Sequence, residues 1–171
     1  MRTKHLLALA LAGTLSAAGC RYTTNGGLPP EIKTIGVTML RNNTRYPGLE
    51  GEVTAAVIAA LQSYGRLAVT DAGKQPDLVL TGTVDGYRRS AIRADRFGDP
   101  VRFTIEIEAT VTVWQASGGH LLRKSRVSSA GNDPGSGAVD LTRGESEARG
   151  RAAAVTELSR NIARRILEQG W

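Results

Sequence analysis

The most regular pattern in the chain spans residues 101–114, VRFTIEIEATVTVW. Val101, Phe103, Ile105, Ile107, Ala109, Val111 and Val113 alternate with Arg102, Thr104, Glu106, Glu108, Thr110 and Thr112. Successive side chains of a strand point to opposite faces, so this alternation predicts a long β-strand with one dry and one wet face. Such a strand suits an antiparallel sheet covered on one side only. Two helical stripes can cover it. Leu49, Val53, Val57, Ala60, Leu61 and Tyr64 recur at helical spacing, with Pro47 before them, Glu50 and Glu52 in the first turn and Gly65 as the stop. Near the end of the chain Val155, Leu158, Ile162 and Ile166 form a second stripe. Thr142 and Glu145 have capping-box spacing in front of it, and Arg149, Arg160 and Arg164 fall on its outer side.

The remaining strands are weaker. Residues 32–40 place Ile35, Val37 and Met39 on one face. Residues 66–70 read as a short edge strand. Residues 78–88 read as a strand whose Gly82 and Gly86 imply a bulge or close packing above it. Residues 121–129 return antiparallel from the Ser117-Gly118-Gly119 turn. Residues 89–100 and 130–141 read as loops, the first polar, basic and mobile. The expected fold is α+β: a two-layer sandwich with a mostly antiparallel sheet of four to five strands and two helices packed on one face.

With 171 residues and 41% apolar content, the chain can form one ordinary domain with a core. Its first nineteen residues stand apart. Arg2 and Lys4 precede an apolar run from Leu6 to Leu15, and Ser16-Ala17-Ala18-Gly19 is a run of small residues. The apolar run is too short to span a membrane and has the layout of a secretory signal. Residues 20–31, with Gly26-Gly27 and Pro29-Pro30, read as a tether, and residues 32–171 as a single α/β domain. The whole chain has Lys+Arg 22 and Asp+Glu 16; without Arg2 and Lys4 the balance is 20 against 16, a net charge of +4. Outside the cytoplasm, that modest basic excess points to anionic lipid or polysaccharide and not to nucleic acid.

Cys20 is the only cysteine, which excludes an intramolecular disulfide. Its place directly after the small-residue run resembles a bacterial lipoprotein signal. That implies a covalent diacylglycerol and an N-acyl chain on Cys20, an effectively permanent anchor, and no other cofactor. Arg21 follows, and the absence of Asp there implies sorting to the outer membrane. After signal removal His120 is the only histidine, so the usual metal sets and Ser-His or Cys-His nucleophile pairs cannot be assembled. Glu106 and Glu108 share the wet face roughly 7 Å apart, a spacing that glycoside chemistry could use, but polar residues on a solvated sheet face are the expected reading. No enzyme is expected.

Basic residues carry a clearer signal. Arg88, Arg89, Arg93, Arg96, Arg102, Arg123, Lys124 and Arg126 outnumber Asp95, Asp99, Glu106 and Glu108 between positions 88 and 126. In a hairpin, Arg102 is expected to come close to Lys124 and Arg126, beside the basic 89–100 loop that holds Arg93 and Arg96. Arginine suits phosphate because its planar fork donates two hydrogen bonds together.

The chain resembles the LptE family of lipopolysaccharide-assembly lipoproteins. The resemblance rests on Cys20-Arg21-Tyr22; on Leu28-Pro29-Pro30-Glu31-Ile32-Lys33-Thr34-Ile35; on Asn43-Thr44 followed by Leu49-Glu50; on Asp77-Leu78-Val79-Leu80-Thr81-Gly82; and on the hairpin and terminal helix in the same order. It implies a lipid-anchored, periplasm-facing outer-membrane protein that plugs and helps assemble the LptD β-barrel and assists lipopolysaccharide insertion into the outer leaflet. It also implies lipopolysaccharide contact near the hairpin end, where Arg102, Lys124, Arg126, Arg93 and Arg96 are the candidates. Two other classes fit the bare sequence: a homo-oligomeric scaffold lipoprotein of another envelope secretion or assembly complex, and a glycan-acting enzyme using Glu106 and Glu108.

Overall fold

A computed structural model describes residues 28–130 and 137–168. Cys20, the signal segment and most of the tether lie outside the described residues. The elements are β1 (Thr34–Val37), β2 (Arg41–Asn42), α1 (Leu49–Tyr64), β3 (Ala68–Thr70), β4 (Leu78–Ala94), β5 (Pro100–Gln115), β6 (His120–Ser128), β7 (Ala138–Asp140) and α2 (Glu147–Leu167). Five strands lie in the order β3-β1-β4-β5-β6, while β2 pairs with β4 and β7 with β5.

The alternation of β5 is realised position by position. Phe103, Ile105, Ile107, Ala109, Val111 and Val113 are all buried. They share one core with Leu78, Leu80 and Val84 of β4, with Leu49, Val53, Val57 and Leu61 of α1, and with Leu158, Ile162 and Ile166 of α2. The outward positions of β5 stay wet. Of the expected α1 stripe only Tyr64 faces outward, at 39% exposure. Helix α1 ends on Gly65 at φ +64°, which donates its amide to the Gln62 carbonyl.

Among the described residues the sheet departs from the expected one in being mixed and seven-stranded. β1 pairs in parallel with both β3 and β4, and β2 in parallel with β4. The cause is the helix after the first strands: a strand–helix–strand crossover returns the chain in the direction it came from. β1 is also shorter than expected. It stops at Val37, after which Leu40 turns into the core and Met39 points out, 70% exposed.

The segment 89–100 is mostly strand and not loop. β4 continues to Ala94 and pairs antiparallel with β5 as far as Ala94↔Pro100. Residues 88–99 are exposed throughout, so they carry no dry face whose alternation would reveal a strand. The bulge expected near Gly86 exists, as a register shift between Val84 and Gly86. Gly82 serves close strand approach, since a Cβ there would meet the Thr110 carbonyl oxygen at 2.7 Å.

Two further differences concern the end of the chain. The three-residue β7 pairs with β5 through Arg102↔Asp140, Phe103↔Val139 and Thr104↔Ala138. Helix α2 is capped by Ser146, whose hydroxyl accepts from the Arg149 amide at 3.3 Å, and not by Thr142. Thr142 instead belongs to a 3₁₀ turn over residues 141–143, capped by Asp140. Glu145 accepts from the Asp140 amide at 2.8 Å.

Candidate functional site

Because both helices share one core with the inward residues of β4 and β5, chemistry at the surface belongs to the outward residues of those strands and to the exposed β4–β5 tip. The tip is built by a tight turn. The Asp95 amide donates to the Asp99 carbonyl, and the Asp95 carboxylate accepts from the Phe97 and Asp99 amides at 2.9 and 3.0 Å. Gly98 supplies the left-handed residue at φ +88°. The turn projects Ile92 and Phe97, 54% and 76% exposed, together with Arg96, whose guanidinium lies 4.8 Å from the Phe97 ring centre. Arg93 faces Arg102 across the ladder. Neither has an ion-pair partner among the described residues.

Below the tip, contacts tie the sheet to the start of α2. The Arg89 guanidinium sits 3.8 Å from the Phe103 ring centre and 3.4 Å from Glu147. The Tyr87 hydroxyl donates to Glu147 at 3.1 Å. Burial, then the negative charge of Glu147, raises the Tyr87 pKa above the ordinary phenol value. Tyr46 stacks on Tyr87 with ring centres 3.8 Å apart.

The register does not gather the basic residues as expected. Arg126 pairs with Thr110 and Lys124 with Thr112. Arg102 pairs instead with Arg93 and Asp140. From Arg102 to Thr110 along β5 is roughly 26 Å at the strand rise. The physical reason is that β6 pairs only with the far half of β5, while β7 takes the same edge beside Arg102. Arg93, Arg96 and Arg102 thus form one basic region at the tip, and Lys124 and Arg126 a second on the polar face.

Local acids temper both regions. Asp140, below its ordinary pKa chiefly through the Thr142 hydroxyl, also has Arg143 and Arg102 nearby. Glu108 holds Arg126 at 2.9 Å. Glu106 lies 3.5 Å from Arg88 and accepts from the Ser128 hydroxyl at 2.8 Å. Both glutamates are engaged in cross-strand pairing. His120 is an exposed residue at the start of β6. Among the described residues no cluster of His, Cys, Asp and Glu is arranged to hold a metal ion.

The sequence reading missed a second feature of the polar face. Thr81, Thr83, Thr110 and Thr112 face one another from β4 and β5, and with Thr38, Met39, Arg41, Asp85 and Lys124 they line an open groove of about 690 Å³. The signal was present in the outward threonines of both strands, but only the strand register aligns them.

No described helix is long and apolar enough to cross a membrane. No curated protein matches the chain. Among solved structures the fold is similar to PelC from Paraburkholderia phytofirmans, solved as a dodecamer, at 16% identity over 83% of this chain and 94% of that one, with a TM-score of 0.55. It is also similar to uncharacterized lipoprotein B from Nitrosomonas europaea, at 10% identity over 84% and 86% of the two chains, TM-score 0.53. A third similar fold is hypothetical protein CT253 from Chlamydia trachomatis, at 9% identity over 79% and 93%, TM-score 0.51. The sequence profile of LptE, lipopolysaccharide-assembly, matches residues 32–169. The chain belongs to that family.

Proposed function

From that membership, we propose that this chain is a non-enzymatic lipoprotein of the outer membrane, anchored through acylated Cys20, that sits in the lumen of an LptD-type β-barrel and assists lipopolysaccharide insertion into the outer leaflet. The observation that carries the reading is the one-sided sheet. Its polar face of threonine, glutamate and arginine suits the wet inner wall of a barrel, whose lumen-facing positions are themselves polar. The β4–β5 tip gives the protein a reach beyond its core. There Arg93, Arg96 and Arg102 would meet lipid A phosphates, and Ile92 and Phe97 acyl chains. Arginine binds phosphate bidentately and competes with the divalent ions that cross-link those phosphates.

The test is recovery of the tagged, lipidated protein from detergent-solubilised membranes, with co-purifying proteins identified by mass spectrometry. A single large β-barrel protein at one-to-one ratio is the expected result. The second reading, a homo-oligomeric scaffold of another envelope complex, draws on the dodecamer in which PelC was solved. Recovery of the chain only with itself, as a large ring, would replace the plug by that scaffold.

A further inference from the structure

On the polar face, away from the tip, strand pairing lays two rows of side chains next to each other. Arg41, Thr83, Thr110 and Arg126 follow one another across β2, β4, β5 and β6. Thr81, Thr112 and Lys124 form the adjacent row. Thr38 closes the second row at the β1 side, where its amide and hydroxyl donate to the Leu80 carbonyl at 3.0 and 3.2 Å. Strands lie about 4.8 Å apart, so Arg41 and Arg126 are separated by roughly 14 Å at the backbone. The groove lies on this bed, with Arg41 at its β2 side and Lys124 at its β6 side.

Threonine is a good strand former, and a wet sheet face needs no further reason to carry it. Three observations go beyond that. First, the hydroxyls are largely unspent. The hydroxyls of Thr83 and Thr112 have no hydrogen-bond partner among the described residues. Thr81 only accepts, from the Trp114 indole at 3.4 Å. Thr110 donates to Asp85 at 2.6 Å and keeps its lone pairs open. Second, Arg41 and Lys124 stand on opposite rims, each without an ion-pair partner among the described residues. Third, the bed has apolar margins, in Met39 at 70% exposure and Trp114 at 37%.

A ligand matched to this surface has many hydroxyls, a flat C–H face and negative charge. Threonine hydroxyls both donate and accept, as sugar hydroxyls do. An indole presents an apolar ring face with a polar edge. Arginine and lysine take phosphate or carboxylate. We infer that the groove binds an anionic oligosaccharide, a saccharide carrying phosphate or carboxylate groups. The site is separate from the basic tip and stands whether or not the tip contacts lipopolysaccharide; it is a recess in the face proposed to meet the barrel wall, so a bound saccharide would lie between the two.

The test is calorimetric titration of the full mature lipidated protein in detergent with three probes. These are the phosphorylated core oligosaccharide of lipopolysaccharide freed of lipid A, the same oligosaccharide dephosphorylated, and a muropeptide disaccharide carrying carboxylates. Two double variants are compared with wild type: Thr83→Val with Thr112→Val, and Arg41→Gln with Lys124→Gln. Valine keeps the β-branched shape, and the two cations are exposed, so both variants should retain the wild-type circular dichroism. Wild type should bind at least one anionic probe, and the one that binds identifies the source of the saccharide. Each double variant should weaken that binding about tenfold or more, while Arg160→Gln on the outer side of α2 leaves it unchanged. The inference is overturned if neither anionic probe binds, or if both double variants bind as wild type. It is also overturned if removing phosphate from a core oligosaccharide that binds leaves its affinity unchanged, or if Arg160→Gln weakens binding as much as the double variants do.

Discussion

Gly150 of α2 lies so close to Val139 of β7 that a Cβ at position 150 would meet Val139 Cγ2 at 2.2 Å. The Gly137 carbonyl oxygen and Ile105 Cδ1 are next, at 3.2 and 3.3 Å. This contact fixes the first turn of the terminal helix onto the short strand that pairs with the open end of β5.

A Gly150→Ala substitution should therefore run against helix propensity. In an exposed helix interior alanine stabilises over glycine by roughly 1 kcal/mol. Here overpacking should reverse the sign and destabilise by about 1–3 kcal/mol. Chemical denaturation of the single variant, and of Gly150→Ala combined with Val139→Ala, measures this. The second change should recover part of the loss if the clash is the cause.

Asp77 gives an acid-side prediction. Its carboxylate accepts from the Lys33 and Thr34 amides and from the Thr34 hydroxyl, each at 2.9 Å. The Lys33 amide is the largest cause of a pKa below the ordinary carboxylate value. A depressed folded-state pKa stabilises the fold above the unfolded value of about 4 and loses that stabilisation as pH falls through the folded value. Wild type should melt higher than Asp77→Asn by a constant margin from pH 8 to pH 5. The margin should shrink below about pH 4.

Tyr87 gives the alkaline counterpart. Burial first, and Glu147 second, raise its pKa. A raised pKa contributes stability that is complete below the unfolded phenol value of about 10 and is lost as pH rises beyond it. Absorbance titration near the tyrosinate band should show a late-ionising component that is lost in Tyr87→Phe. Tyr87→Phe should flatten the loss of melting temperature at high pH.

The tip predicts a separation of functions. Reversing Arg93, Arg96 and Arg102 to glutamate should weaken lipopolysaccharide binding about tenfold or more and leave barrel association intact. Unchanged lipopolysaccharide binding in the triple variant would remove these residues from the proposed contact.

Spin labels at positions 102 and 124 provide a check on the register. They should lie roughly 33 Å apart, the length of β5 between Arg102 and Thr112 at the strand rise. A short distance would restore the single basic patch that the sequence alone implies.

How much could be read from the sequence depends on how each element meets the core. β5 was legible because every second residue is buried, and α1 and α2 because their stripes face the same core. The far half of β4 was not, because Arg88 to Ala94 has water on both sides and therefore no period. β7 was too short to show one, and it follows a glycine-rich stretch. The parallel pairing of β1 has no local signature, since it depends on where α1 returns the chain. The basic site suffered most from this. Arg93, Arg96, Arg102, Lys124 and Arg126 were all visible as residues, but their grouping is set by which half of β5 each neighbouring strand occupies.

The exposed end of the β4–β5 ladder is held by backbone pairing and a turn, with no core beneath it. Its amides should exchange with solvent by local fraying, long before those of the paired segment over Ile107 and Val111. Such a segment can lengthen, shorten or change its residues in related chains without altering the stability of the domain that carries it. Among relatives this tip should therefore vary in length more than the threonine-faced half of the sheet, while keeping basic residues where it meets phosphate.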